Sequence, residues 1–326
     1  MADDHAGNDI PTKPIPVDRD NFVRAETDTY FASFVRDGGL GQFVHHRELA
    51  DIDNQIVVRM NRDTLYSQAV FDLDAGAVTV TLPDSGGRFL SALVIDEDHY
   101  VLETFYDSQP HRFSRERGGT RYITVLVRTF VDPGDPADLA KVHALQDAIA
   151  VDQPGGPGRF EVPNWDPSSL KQTRGEIAGM PGFDPSTACG WRGEIDPTSH
   201  LICTAVGWGG NPARDATYVA GEPKQNDGKT VYRLTVRDVP VDGFWSVTVY
   251  NKDGFFERNA RNAYSLNTVT ARADADGAVT IQFGGCGEDV ANCLPIVPGW
   301  NYTVRLYRPR EEILDGRWTF PEAQPA

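Results

Sequence analysis

Phe89-Leu90-Ser91-Ala92-Leu93-Val94-Ile95-Asp96-Glu97-Asp98 and Phe244-Trp245-Ser246-Val247-Thr248-Val249-Tyr250-Asn251-Lys252-Asp253 decide the fold class. Each is a short apolar run rich in β-branched and aromatic residues, entered from a Pro- and Gly-containing turn and closed by polar turn residues. That length and composition describe a buried strand and not a helix. Outward from the first run, Val78-Thr79-Val80-Thr81-Leu82 alternates, Pro83–Gly87 turns, and His99–Tyr106 and Tyr122–Phe130 return as strands. Around the second run lie Tyr232–Val236, a hairpin Val269–Ala273/Ala278–Phe283 turning at Asp276-Gly277, and Asn301–Arg308, with Trp318 and Phe320 closing the chain. The expectation is a mainly β protein of two modules, a β-sandwich followed by a jelly-roll-like unit.

Helices are few. Phe22, Val23, Tyr30, Phe34 and Val35 form a stripe at helical spacing over 20–36, with Gly38-Gly39 as a stop. Asp135-Pro136 supplies an N-cap and first-turn pair for a helix carrying Leu139, Val142, Leu145 and Ile149 on one face. Asp166-Pro167 opens a short helix, and 182–221 is expected to be loop-rich around the turn Gly207-Trp208-Gly209-Gly210-Asn211-Pro212. This divides the 326 residues into 1–40 (leader and first helix), 41–150 (first β module), 151–222 (linker with a short helix and loops) and 223–326 (second β module). Two modules suit a chain longer than the roughly 150–250 residues at which single cores saturate.

The modules carry a candidate repeat. Phe89–Asp98 aligns with Phe244–Asp253, and Gly119-Thr120-Arg121-Tyr122 with Arg128 aligns with Gly299-Trp300-Asn301-Tyr302 with Arg308 at equal spacing. Either one unit is duplicated, or strand-turn grammar is shared.

Composition limits the partners. A net charge of −16 repels phosphate backbones and anionic headgroups, so neither nucleic acid nor membrane is expected as a partner. The polar segment Met1–Asp20 has no apolar h-region, and no run approaches the roughly 20 apolar residues of a membrane span. A cytoplasmic location is therefore expected, or a periplasmic or secreted one if a signal has been removed. Cys189/Cys203 and Cys286/Cys293 lack metal-ligand spacing and are expected as reduced thiols, with a Cys286–Cys293 disulfide as the alternative. No nucleophile elbow, zinc HExxH, Walker loop or dinucleotide motif occurs, so no metal or other cofactor is expected.

Met60-Asn61-Arg62-Asp63-Thr64-Leu65-Tyr66-Ser67, Asp96-Glu97-Asp98-His99-Tyr100 and Val142-His143-Ala144-Leu145-Gln146 resemble domain of unknown function 1254. Asn226-Asp227-Gly228-Lys229, Phe244–Tyr250, Asn262-Ala263-Tyr264-Ser265-Leu266 and Trp300-Asn301-Tyr302-Thr303-Val304-Arg305 resemble domain of unknown function 1214. The resemblance implies a bacterial tandem of a β-sandwich module, a helical segment and a jelly-roll-like module, comparable with the paired jelly rolls of an amidase acting on glycoproteins. It supplies no catalytic residues.

Candidate chemistry concentrates in Arg59, Asn61, Arg62, Asp63, Thr64 and Tyr66. Two guanidiniums beside an amide and a carboxylate suit a carboxylate or sugar, with Asp63 as general base. The alternative is a structural ion pair of Arg62 and Asp63. Asp98 and His99 are the second catalytic candidates, with Tyr100 beside them and His200 as a distant third ligand should a metal bind. Arg128, Trp208, Tyr250 and Tyr264 complete the candidate substrate-binding set, although aromatics in a β module are more often core. Two functions are carried forward. One is a hydrolase or lyase for a glycan or small anionic or polyol substrate in an inter-module cleft; the other is a non-catalytic binding or assembly protein, with a homo-oligomer allowed by either.

Overall fold

A computed structural model describes residues 13–55, 58–182 and 189–326. The first twelve residues of the expected leader, and Val57, lie outside the described residues. In chain order the first half carries α1 (Phe22–Arg36), β1 (Val44–His45), β2 (Thr64–Asp72), β3 (Val78–Thr81), β4 (Leu90–Asp96), β5 (Val101–Phe105), β6 (His111–Phe113), α2 (Arg115–Gly118), β7 (Tyr122–Phe130), α3 (Pro136–Asp147) and β8 (Ala150–Asp152). After α4 (Pro167–Ala178) and α5 (Pro197–Val206) come β9 (Ala216–Gly221), β10 (Tyr232–Val236), β11 (Trp245–Tyr250), β12 (Ser265–Asn267), β13 (Val279–Phe283), β14 (Cys293–Leu294), β15 (Asn301–Tyr307), α6 (Glu311–Leu314) and β16 (Gln324–Pro325). The protein is mainly β.

The first module stacks a five-stranded sheet on a three-stranded one, and the second pairs two four-stranded sheets. The first orders its strands β1-β2-β7-β4-β5 over β6-β3-β8; the second orders β9-β15-β11-β12 beside β14-β13-β10-β16. One face of each strand fills the space between the sheets. Phe71, Val78, Val80, Val94, Phe113, Val125 and Val127 form the first core; Tyr232, Val247, Ile281, Phe283, Trp300 and Val304 form the second. Alternation puts the neighbouring residues, Arg128 and Arg305 among them, on the opposite face.

Strand for strand, the two connectivities coincide: β2, β3, β4, β5, β6, β7 and β8 take the places of β9, β10, β11, β12, β13, β15 and β16. The hydrogen bonds at the joints also repeat. Phe130 N donates to Phe89 O as Tyr307 N donates to Phe244 O, and Val131 N donates to Asp63 O as Arg308 N donates to Asp215 O. One unit therefore occurs twice, with Ser91 matching Ser246. The alignment of Tyr122 with Tyr302 is corrected: Ser91 sits opposite Arg128 and Ser246 opposite Arg305, so Arg128 corresponds to Arg305 and not to Arg308.

Other boundaries shift. β8 completes the first module and β9 opens the second, which shortens the connecting segment at both ends. That segment holds a second helix, α5, where loop was expected. It opens on Asp196-Pro197 as α4 opens on Asp166-Pro167, each Asp accepting backbone N–H bonds in the first turn. Helices α1, α4 and α5 pack together through Phe22, Ala25, Leu170, Ile177 and Ile202. The expected hairpin over Val269–Ala273 does not form. The Asn267 side chain accepts from Val269 N, Thr270 N and Thr270 Oγ1, which curls that stretch into a turn, and β13 pairs with β10 instead.

Both cysteine pairs are disulfides, Cys189–Cys203 and Cys286–Cys293, which corrects the expectation of reduced thiols. The first ties α5 to the strand of chain preceding it across a separation of 14 residues. Loop closure of that length stabilises by about 3 kcal/mol. Iodoacetamide should therefore label no cysteine of the folded protein before reduction and all four after it; labelling without reductant would show the thiols to be free.

Candidate functional site

On the outward faces of the sheets β1-β2-β7-β4-β5 and β9-β15-β11-β12, cross-strand register lines up the same residue types. In the first module Ser91, Arg128 and Tyr66 lie side by side on β4, β7 and β2. In the second, Asn267, Ser246, Arg305 and Tyr218 lie side by side on β12, β11, β15 and β9. The modules meet over these faces through aromatic rings: Phe89 contacts Phe244 at 5.1 Å and Tyr307 at 5.2 Å between centroids, and Phe130 contacts Phe244 at 4.4 Å. Gly243 lies at this seam, where a Cβ would stand 2.6 Å from Tyr307 O.

The segment preceding each module's first long strand reaches across to the other module. Arg59 Nη1 donates to Asn301 Oδ1 at 2.6 Å, and Arg59 O accepts from Arg305 Nη2 at 2.8 Å. Met60 O accepts from Tyr250 OH at 2.7 Å. Reciprocally, Gly209 O and Asn211 Oδ1 accept from Arg128 at 2.8 and 3.1 Å. Arg59 holds a left-handed backbone, φ 53°, a conformation costly for a residue with a Cβ.

Both inner arginines are buried, Arg128 at 7% and Arg305 at 4% exposure. Their partners are neutral. Arg305 also donates to Thr248 Oγ1 at 2.9 Å and Tyr250 OH at 2.8 Å, and the Arg128 guanidinium lies 5.6 Å from the centre of the Tyr66 ring. Asp63, fully buried, joins neither of them, nor Arg62. Its Oδ1 accepts from Asn267 Nδ2 at 2.9 Å and Ser265 Oγ at 3.2 Å, and its Oδ2 has no hydrogen-bond partner among the described residues. The Arg62–Asp63 ion pair is thus replaced by bonds to other groups. Arg62 donates to Ala50 O and lies over the Tyr264 ring. Asn61 Nδ2 bridges Thr64 Oγ1 and Tyr307 OH at 3.1 and 3.0 Å.

The phenols diverge in acidity. For Tyr66, burial opposes ionisation, but Arg128, with Thr64, Arg305 and Asn61, outweighs it and holds the phenol below its ordinary range. Burial, with Tyr218 and Tyr66 nearby, raises Tyr307 well above that range.

The structure therefore gathers Arg59, Asn61, Asp63, Thr64, Tyr66, Arg128 and Tyr250 into one layer, with Arg62 and Tyr264 at its margin. Asp98, His99, Tyr100 and Trp208 form a different cluster against the helices. His99 Nδ1 donates to Thr204 Oγ1 and Nε2 accepts from Gly209 N, both at 2.9 Å; burial, and then His200, pushes its pKa down to about 3. Both ring nitrogens are occupied. Asp98 bonds Arg24 and Arg192, His200 donates to Asp98 O and stacks on Tyr100, and Trp208 stacks on Tyr30 at 4.1 Å. His200 thus turns Nε2 to a carbonyl, and among the described residues no three His, Cys, Asp or Glu side chains gather as a metal site would need.

Arg305, Tyr307, Tyr218, Asp215, Ser91, Ser246 and Asn267 were missed by sequence reasoning. A signal for several of them exists: Arg62-Asp63-Thr64-Leu65-Tyr66 recurs as Arg214-Asp215-Ala216-Thr217-Tyr218. Asp215 mirrors Asp63, with Oδ1 accepting across the seam from Tyr106 OH at 2.7 Å and Oδ2 buried without a hydrogen-bond partner among the described residues.

Fold and site define a tandem of two like β modules closed on a shared polar layer. Protein of unknown function (DUF1254) matches residues 40–109 and Protein of unknown function (DUF1214) matches residues 215–311. The chain belongs to the family that carries these two domains in this order. The crystal structure of the VPA0106 protein from Vibrio parahaemolyticus is similar at 18% identity and TM-score 0.71, over 94% of this chain and 96% of that one. An uncharacterised protein from Burkholderia cenocepacia is similar at 14% identity and TM-score 0.52, over 94% and 86%. These likenesses concern the fold. No curated protein matches the chain. No helix among the described residues is long and apolar enough to cross a membrane.

Proposed function

We propose that the seam between the modules binds a carboxylate-bearing ligand, and that the reaction is a lyase-type elimination on a uronate-containing glycan or small polyol acid. The observation that carries this is the pair of buried guanidiniums, Arg128 and Arg305, bonded only to neutral acceptors. Neither guanidinium is hydrogen-bonded to a carboxylate among the described residues, Asp63 acting on Arg305 only through its field, and a carboxylate between the two forks would supply the bidentate partner both lack. Tyr66 and Tyr307, with acidities driven apart, divide the proton work as base and acid. Tyr66, once ionised, takes the proton α to the carboxylate, whose charge the arginines neutralise. The released electron pair forms the double bond and expels the β-oxygen, which takes a proton from Tyr307. Hydrolysis by paired carboxylates is favoured less, because Asp63 is engaged by Asn267 and Ser265 and Asp98 lies in the other cluster.

A second reading has its own support. The layer is closed, with Asp63 at 0% exposure and Arg59–Met60 strapped over β15 and Tyr250, as a polar layer that only sets the pairing of the modules would be. Incubation with oligogalacturonate and oligomannuronate separates the two. The lyase reading expects ultraviolet absorbance of an unsaturated uronate, lost in Tyr66→Phe with the fold intact by circular dichroism. Neither absorbance nor thermal stabilisation by either acid would leave the scaffold reading. The two disulfides support an oxidising compartment for the protein over the cytoplasm.

A further inference from the structure

The segment that seats Arg128 is backed by a disulfide. Gly209 O and Asn211 Oδ1, the acceptors of Arg128, belong to the strap Gly207–Asn211 between α5 and β9. Cys189 Sγ and Cys203 Sγ lie 3.8 and 3.7 Å from Gly207 O, and a Cβ on Gly210 would stand 2.9 Å from Cys189 Sγ. The bonded sulfurs therefore pack directly against the strap. Two hydrogen bonds complete the clamp: Gly207 N donates to Cys203 O at 2.7 Å, and Gly209 N donates to His99 Nε2 at 2.9 Å.

The strap over Arg305 is held differently. Asn211 stands in the repeat where Arg59 stands, since Arg214–Tyr218 follows the pattern of Arg62–Tyr66. Hydrogen bonds hold Arg59, from its N–H to Gly254 O at 2.7 Å and from its side chain to Asn301. The second disulfide, Cys286–Cys293, joins β14 to the loop after β13, in a sheet away from the seam. Only the Arg128 strap is tied covalently, and that arginine relies on it for two hydrogen bonds. Against burial, the charge of Arg128 in turn holds the Tyr66 phenol below its ordinary range.

The tie is within reach of a reductant, because Cys189 is half-buried whereas Cys203 is fully buried. A dithiol attacks Cys189 Sγ as its thiolate, which breaks the S–S bond and expels Cys203 as a thiolate that takes a proton. The second thiolate of the reductant then displaces Cys189, so two electrons and two protons enter the protein and the reductant leaves as its own disulfide. Two thiols do not stay at bonding distance, and Gly207 and Gly210 fill the space beside them. We propose that Cys189–Cys203 is a redox control on the Arg128 side of the seam. Oxidised, it fixes the strap and seats the arginine; reduced by a dithiol, it frees the strap and weakens carboxylate binding there, the second effect resting on the reading of the seam given above.

Amide hydrogen exchange of the Cys286→Ser/Cys293→Ser protein, which keeps one disulfide, tests this before and after dithiothreitol. Reduction should speed exchange of Gly209 N–H by about tenfold or more while Arg59 N–H, its counterpart on the other strap, keeps its rate. Oxidised glutathione should restore the slow rate. Cys189→Ser, with Cys286–Cys293 intact, should show the fast Gly209 rate without reductant, a second route should the double variant fail to fold. Galacturonate should bind the reduced protein about fivefold or more weakly than the oxidised. The proposal is overturned by an unchanged Gly209 rate, by equal acceleration at Arg59 or at Val127 in the first core, by a rate that reoxidation does not restore, or by galacturonate binding both forms equally. If galacturonate binds neither form, the seam reading falls and the Gly209 rate alone decides the redox control.

Discussion

Arg128→Ala lowers the unfolding free energy by roughly 3–5 kcal/mol, and Arg305→Ala does the same. The size follows from burial: truncation removes a packed side chain and takes a donor from Asn211 Oδ1 and Gly209 O in one case, and from Thr248 Oγ1, Arg59 O and Tyr250 OH in the other, Tyr250 OH keeping its bond to Met60 O. Since both arginines belong to one layer, the double variant should depart from additivity by about 1 kcal/mol or more. Urea denaturation followed by two probes measures this, with coincident transitions checking that the modules unfold together. A cost below about 1 kcal/mol for either variant would show the layer to be loosely packed. The same variants bear on function. If a carboxylate ligand occupies the layer, galacturonate stabilises the wild type and fails to stabilise Arg305→Lys, because a point charge does not replace a bidentate fork.

Asp28→Asn raises stability at pH 8 by roughly 2–4 kcal/mol and gives a stability that climbs with pH between about pH 4 and 6.5, where the wild type is nearly flat. Asp28 lies on the buried face of α1, its Oδ2 accepting from Trp165 Nε1 at 2.8 Å and its Oδ1 without a hydrogen-bond partner among the described residues. Burial, with Glu97 and Asp98 adding to it against Trp165 and Arg24, pushes its pKa from 3.8 up to about 7. The folded state thus holds a proton that the unfolded state has released, and stability falls as pH rises from 3.8 to about 7. His99 runs the other way. Its pKa drops from 6.5 to about 3, so its contribution is complete above 6.5 and is lost as pH falls toward 3. The opposed slopes nearly cancel in the wild type between about pH 4 and 6.5. In Asp28→Asn the His99 slope stands alone, and stability should climb with pH across that window. A curve for the variant that still falls with pH would refute the assignment.

Much of the fold was legible because strand periodicity is a local signal. β4, β7, β10, β11 and β15 fall where alternation and apolar runs put them, as do α1 and α3. The turn at Val269–Ala273 was illegible because one side chain, Asn267, redirects the backbone. Of the candidate site, Asn61, Asp63, Thr64 and Tyr66 share a short run and Arg128 stood out as a cation in an apolar strand. Arg305 was equally visible in Asn301–Tyr307, yet only the register opposite Ser246 shows that it repeats Arg128.

By itself the sequence determined two β modules, their order and the polar run Arg59–Tyr66, because those depend on patterns within a few residues. Only the tertiary structure decided that the modules are one unit repeated, that their arginines share a closed layer, and that His99 is held away from it. Those facts rest on register and on hydrogen bonds between residues far apart in the chain, such as Arg59 to Asn301 and His99 to Gly209. Spacing along a sequence carries no record of such contacts.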